Sequence, residues 1–176
     1  MSRPTPKLLY EGNYLNLQSR DGWEFVSRRH RVAVLVAWTP AGELLLVEQH
    51  RIPVAGPVIE LPAGLVGDVA GQEDEDLLAA ANRELEEETG WRAGRVSTIM
   101  ACPTSAGMTD ESVVFVRAEA LEKVGPGGGD ASEDIAVHAV PGADIDAWLA
   151  ARQAEGKAID PKIFAAIHWG PEASPG

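Results

Sequence analysis

Three glutamates and an arginine near the middle of the chain are spaced to do chemistry together. The run Arg83-Glu84-Leu85-Glu86-Glu87-Glu88-Thr89-Gly90-Trp91 closes a stretch of good helix formers that starts at Glu75. Gly90 is a natural stop just past the last turn. At about 100° per residue, Glu84, Glu87 and Glu88 share one face. Leu78, Ala81 and Leu85 share the adjacent face, the one to bury, and Glu86 points away from both. Like charges one turn apart cost a helix roughly 0.2–0.5 kcal/mol per pair. A helix that keeps such a stripe can use it to hold a cation, since clustered carboxylate oxygens suit Mg²⁺, Mn²⁺ or Ca²⁺, and Mg²⁺ is shared with substrate phosphates. The alternative is a solvated acidic face. Arg83 stands four before Glu87 and can orient that carboxylate. Glu75 is placed to pair with Arg83 or with the helix N-terminus.

Length and charge bound what surrounds this helix. A chain of 176 residues suits one domain with a full-sized core. The net charge of −12 argues against nucleic acid or an anionic membrane as partner. Ten of the 27 acids lie between Glu60 and Glu88. A divalent metal would compensate that concentration, and an anionic substrate would be repelled without one. Cys102 is the only cysteine and reads as a small buried hydrophobe. His30, His50, His138 and His168 stand at no ligand spacing and read as structural. The first residues lack the apolar segment of a secretion signal, and no apolar run approaches the roughly 18 residues that cross a bilayer. The expectation is a cytoplasmic protein with no membrane partner.

The elements that position the helix are legible in outline. Leu8 to Leu17, interrupted at Gly12-Asn13, predicts two short strands or a bent one, and Trp23 to Arg28 a half-exposed strand. Arg31 to Trp38 is almost wholly apolar, as in a strand buried on both faces. Pro40-Ala41-Gly42 turns the chain, with Glu43 to Glu48 as the expected hairpin partner. Val58 to Leu61 is a short strand before a Pro62-Ala63-Gly64 loop. Val96 to Ala101 and Ser112 to Ala118 read as strands around a loop from Pro103 to Glu111. Gly125 to Asp130 reads as a flexible connector and Ile135 to Val140 as the last strand. Asp144 to Gln153 and Pro161 to Trp169 read as helices, the second capped by Asp160. Strands, a central helix, more strands and then helices make an α+β layered domain.

Arg83 to Trp91 fits, position by position, the end of the Nudix box, R-E-U-x-E-E-x-G-U with U a bulky apolar residue, and Glu75 stands eight before Arg83, where that box has its first glutamate. The chain therefore resembles the Nudix hydrolase superfamily. One departure concerns the box glycine: Val69 stands at its position, and Gly64 is its equivalent across a loop five residues longer. The resemblance implies an α/β/α sandwich around a mixed sheet. It also divides the chain into N-terminal strands over 1–28, expected to form a dimer, a Nudix domain over 29–170 and a disordered tail over 171–176.

Segments outside the box resemble the ADP-ribose pyrophosphatase branch: Trp23 to Arg28, Glu48 to Val54, Glu60 to Gly64, and Ser105 to Glu111. That branch implies hydrolysis of a nucleoside diphosphate sugar with Mg²⁺, or Mn²⁺ as substitute. ADP-ribose is the first substrate, giving AMP and ribose 5-phosphate; GDP-mannose is the alternative, and a non-catalytic nucleotide-sugar-binding module is a reading from another class. Glu84, Glu87, Glu88 and the Ala63 carbonyl would hold the metal. Glu111 matches the family's loop glutamate that serves as general base, with Asp110 second, and it is expected to start far from the metal and swing in as Gly107 flexes. Arg51 can grip phosphate through two bonds. Trp23 would stack on adenine, Arg28 would reach phosphate or pair with Glu24, and Glu60 would stand near the metal. The branch is typically a homodimer whose N-terminal strands reach the partner's site.

Overall fold

A computed structural model of the chain describes residues 4–28, 30–67, 75–129 and 134–171. Most of the lengthened stretch after Gly64, and residues 172–176 of the tail, lie outside the described residues. In chain order the elements are β1 (Lys7–Glu11), β2 (Leu15–Arg20), β3 (Trp23–Arg28), β4 (Arg31–Ala37), β5 (Glu43–Arg51), β6 (Gly56–Glu60) and β7 (Ala63–Val66). There follow α1 (Leu77–Thr89), β8 (Trp91–Pro103), β9 (Ser112–Lys123), β10 (Ala136–Pro141), α2 (Ile145–Ala154), β11 (Ala158–Ile159) and α3 (Lys162–Trp169).

The first three strands form an antiparallel sheet of their own. The others make two four-stranded mixed sheets, β7-β4-β9-β8 and β10-β5-β6-β11. Strand alternation divides β4 between two cores. Val34 and Val36 join Leu44, Ile59, Ile145 and Ile163 under α2 and α3. Ala33, Leu35 and Ala37 join Ala80, Ala81 and Leu85 of α1. Helices thus cover both faces of the strands, the α/β/α arrangement that the family resemblance implies.

Five details differ from the sequence reading. Strands β4 and β5 are not a hairpin: apart from one bridge between Trp38 and Leu44, β4 pairs with β7 and β9, and β5 with β6 and β10. Strand β4 is buried from Ala33 to Ala37 and β5 from Leu44 to Val47, so each needs a hydrogen-bonding neighbour on both edges there, and the turn at Pro40 to Gly42 carries the chain from one sheet to the other. The Pro62 to Gly64 loop is largely strand, since Ala63 and Gly64 fill the free edge of β4 opposite Val34 and Ala33. Strand β10 is not the last, because β11 adds itself in parallel to β6. Strands β8 and β9 run several residues beyond the expected limits.

The fifth difference is the glycine connector, which is held. Gly128 and Gly129 donate to the carbonyls of Glu88 and Glu87 at 2.8 and 3.1 Å, taking up acceptors that the end of α1 leaves open. Gly127 lies at φ 73°, and a Cβ there would stand 2.4 Å from the Thr89 carbonyl carbon. At its other end α1 is capped by Asp76, whose Oδ1 accepts from Leu78 and Ala79. Glu75 therefore precedes the helix, and Gly90 ends it at φ 70°.

Candidate active site

Strand β7 lies along the last turns of α1, and the two are in direct contact at two points. Ala63 donates its backbone N–H to Glu88 Oε2 at 3.1 Å. Glu88 is only 4% exposed. A Cβ on Gly64 would stand 2.0 Å from Glu84 Cδ, so only glycine lets the Glu84 carboxylate occupy its place. Glu84 is 14% exposed at its side chain. These residues, with Arg28, Gln49 and Arg51, line a recess of about 260 Å³.

Arg83 organises the carboxylates around it. It reaches back to both oxygens of Glu75 at 3.3 and 3.2 Å, as the spacing predicts. Its Nη1 also bridges Glu84 Oε1 at 2.9 Å and Glu87 Oε2 at 3.0 Å. The bonds to Glu75 and the charges of Glu84 and Glu87 raise the Arg83 pKa further, against the opposing effect of burial. Glu87 is 49% exposed and lies outside the recess. Among the described residues no three acidic, histidine or cysteine side chains are gathered around one point. Glu86 faces away, as expected, and forms a two-bond pair with Arg92 at 2.8 Å.

A larger cavity of about 510 Å³ adjoins the recess and shares Arg28, Val32, Arg51 and Ala63 with it. Three ion pairs stand in its wall, one of them Lys162 with Asp160. Arg28 Nε lies 3.3 Å from Glu111 Oε1, so its acidic partner is Glu111 and not Glu24. Arg51 Nε lies 2.7 Å from Glu60 Oε2. Glu111 also lines a third hollow, of about 630 Å³, together with Trp23 and Asp110. Trp23 is 66% exposed, and its indole N–H donates to the Gly107 carbonyl at 3.2 Å.

The loop between β8 and β9 is not poised to swing. Val26 donates to the Met108 carbonyl at 2.9 Å, Thr109 Oγ1 to the Val26 carbonyl at 2.8 Å, and Ser27 Oγ to Asp110 Oδ2 at 3.0 Å. Thr104 Oγ1 holds Glu111 Oε2 at 3.0 Å. The loop is fastened to β3, and Glu111 already faces the cavity. Asp110 lines only the outer hollow, whereas Glu111 lines both that hollow and the cavity.

The structure thus gathers Arg28, Arg51, Ala63, Gly64, Glu84 and Glu88 at one recess, with Glu60 and Glu111 in the adjoining cavity and Trp23 beyond. Arg83 and Glu87 stand outside these walls. Sequence reasoning missed Gln49, Thr104 and Lys162 as lining residues. None carries a local pattern that sets it apart from a surface polar residue.

Helix, glycine cradle and fold agree with the match of a NUDIX domain model to residues 28–166. The chain belongs to the Nudix family. Within it, the ADP-ribose pyrophosphatase of Bacillus subtilis (strain 168) is 42% identical over 98 residues, 56% of this chain and 50% of that protein. The aligned part therefore spans about half the length of that relative. The GDP-mannose pyrophosphatase of Yersinia pestis (strain Pestoides F) is 29% identical over 159 residues, 85% of this chain and 77% of that one. A crystal structure described as that of an ADP compounds hydrolase has the same fold, with a TM-score of 0.60 at 19% identity over 82% of this chain and 84% of the other. Among the described residues no helix is long and apolar enough to cross a membrane.

Proposed function

We propose that the protein hydrolyses the pyrophosphate bond of a nucleoside diphosphate sugar, ADP-ribose first, releasing AMP and ribose 5-phosphate. The observation that carries the reading is the shared wall: Glu84 and Glu88 of α1 line one recess with Arg28 and Arg51, and both arginines also line the sugar-sized cavity beside it, which meets the hollow of Trp23 at Glu111. Similarity to ADP-ribose pyrophosphatases supports the substrate. GDP-mannose is the second reading, favoured by the relative aligned over most of both chains.

The recess fits a hard divalent cation. Glu84 and Glu88 are carboxylates of low exposure beside the backbone of Ala63, and the Gly64 cradle keeps the space for one of them. Such an all-oxygen donor set suits Mg²⁺, with Mn²⁺ as substitute. Glu84, Glu88 and the Ala63 carbonyl would hold the ion, with Glu87 joining from the rim. Bound there, a divalent cation neutralises phosphate charge and lowers the pKa of a water.

The chain's own residues do the rest. Arg28 and Arg51 orient the two phosphates, Arg51 with its fork fixed by Glu60. Trp23 offers its open face to the base. Glu111 takes the proton of the attacking water as the new P–O bond forms. The bond to the bridging oxygen then breaks, and each product keeps one phosphate. Arg83 acts behind the carboxylates and positions them.

The protein is also proposed to act as a homodimer. The β1–β3 sheet and its first turn leave Leu8, Tyr10 and Tyr14 well exposed, apolar surface for a second copy. The test of the function is a Mg²⁺-dependent screen of nucleoside diphosphate sugars, reading the monophosphate product. ADP-ribose is expected to have the highest kcat/KM. Release of no monophosphate from any of them overturns the proposal.

A further inference from the structure

Two of the carboxylates that would hold the cation stand at an awkward place on their helix. Glu87 and Glu88 belong to the last turn of α1, where helices fray and where the dipole disfavours negative charge. Glu84 stands one turn before Glu88, and their repulsion works in the same direction. The helix itself cannot hold that turn, because its last four carbonyls have no donors within the helix.

Donors from the end of β9 and the glycines after it fill the gap. Gly90 closes on the Glu86 carbonyl at 2.8 Å. Gly129 donates to the Glu87 carbonyl at 3.1 Å, Gly128 to that of Glu88 at 2.8 Å, and Lys123 Nζ to that of Thr89 at 2.8 Å. The Gly90 carbonyl accepts in turn from Val124 and Gly125, at 2.8 and 3.0 Å. The fit is close: a Cβ on Gly127 would stand 2.4 Å from the Thr89 carbonyl carbon and 2.7 Å from the Glu88 oxygen. Lys123 lies opposite Trp91 in the register of β8 and β9, with its ammonium 5.5 Å from the centre of the indole. A cation there also meets the negative end of the helix. The segment hangs from β9, which is paired on both edges, with β4 and β8, and such a frame holds a site in one geometry. Glu88 is thereby held at both ends, its carbonyl by Gly128 and its Oε2 by the Ala63 N–H.

We infer that Lys123 and the run Gly127 to Gly129 are positioning residues for the cation site, a role that rests on the cation-dependent reading above. They hold the last turn of α1 so that Glu87 and Glu88 keep their place before any ion arrives. None of them lines the recess; they act through the backbone of the two glutamates and of Thr89. Groups that stand behind metal ligands in this way tune affinity by roughly 10–100-fold. A helix end left to fray would instead have to be ordered by the ion, at the expense of affinity.

The test compares the full wild-type chain with Lys123→Met, which keeps an apolar stem but cannot donate, with Lys123→Arg, which can, and with Gly127→Ala. The readouts are the Mn²⁺ dissociation constant without nucleotide, from the paramagnetic resonance of the free ion, the Tm, and AMP release from ADP-ribose over a Mg²⁺ titration. Lys123→Met is expected to raise the Mn²⁺ constant about tenfold, with AMP release recovering as Mg²⁺ saturates. Lys123→Arg should restore most of the affinity. Gly127→Ala should weaken Mn²⁺ binding at least as much; should it fail to fold, the two lysine variants still decide. A lower Tm for Lys123→Met with the wild-type Mn²⁺ constant overturns the inference, because the lysine is then only a cap. Loss of activity that saturating Mg²⁺ leaves in place, with Mn²⁺ binding unchanged, overturns it as well. Wild-type protein that binds no Mn²⁺ overturns the cation site and the inference together. Failure of the proposed substrate is a different result: wild-type protein that binds Mn²⁺ but releases no AMP, in which case the Mn²⁺ constants still decide the role of Lys123.

Discussion

Gly64→Ala tests the contact between β7 and α1 with the smallest possible change. The added Cβ would stand 2.0 Å from Glu84 Cδ, 2.2 Å from Cγ and 2.4 Å from Oε2. Carbon atoms in ordinary contact are about 3.5–4.0 Å apart, so the carboxyl group must retreat by roughly 1.5 Å. The backbone itself tolerates alanine, since Gly64 is not among the residues with positive φ. The obstruction is also the far end of a flexible side chain, so the strain stays near the low end of overpacking, about 1 kcal/mol, or a Tm lower by about 2–4 °C. Activity should suffer far more, because a misplacement of about 1 Å at a reacting site costs on the order of 10²-fold. The assay is kcat/KM for ADP-ribose over a Mg²⁺ titration, with Tm from calorimetry. Wild-type kcat/KM at limiting Mg²⁺ would mean that Glu84 has no part in holding the metal. A Tm low enough to explain the loss by unfolding would equally refute the reasoning.

Glu111→Gln is expected to lower kcat by roughly 10²–10⁴-fold, and Asp110→Asn to do far less, since Asp110 does not line the cavity; the reverse order in steady-state kinetics would transfer the role to Asp110. Glu86→Gln removes only the surface pair with Arg92 and should leave kcat/KM at the wild-type level. Burial pushes the Glu48 pKa up, but the bonds from Lys157 and His138 outweigh it and hold the group below its ordinary value. A depressed carboxylate contributes stability that is present above its unfolded pKa, about 4.3, and lost as pH falls through the folded one. Urea midpoints of wild type and Glu48→Gln should therefore converge below about pH 4, and a gap that persists in acid would contradict the pairing. Deleting residues 1–20 removes β1 and β2 and should give a monomer with weaker substrate affinity; light scattering that still shows a dimer, with unchanged KM, would end the shared-site idea.

The parts of this molecule that could be read in advance are those whose signal is local. Helix α1, its stop at Gly90 and the Arg83 pair with Glu87 follow from a 3.6-residue period and one left-handed residue. Strand β4 is legible because burial on both faces leaves an unbroken apolar run. What escaped depends on partners far along the chain. Pro62-Ala63-Gly64 looks like a loop, and only the open edge of β4 makes part of it a strand. The loop around Gly107 has the composition of a flexible one, yet β3, some 80 residues earlier, fastens it through Trp23 and Ser27. Glycines 127 to 129 read as slack, and the unfilled carbonyls of α1 hold them. Lys162 shows no pattern of its own and gains its place in the cavity only when β11 joins β6.

The central claim is that the carboxylates of α1 enable cation-dependent cleavage of a nucleotide sugar. The most direct measurement is AMP formation from ADP-ribose by wild type and Glu88→Gln across a Mg²⁺ titration. Glutamine keeps an acceptor for the Ala63 N–H, so the fold should persist while a charged oxygen is lost. The account predicts no AMP from wild type without divalent cation, and a loss of at least about 10²-fold in the variant at every Mg²⁺ concentration within reach. AMP formed without a cation, or at the same rate by Glu88→Gln, would contradict it.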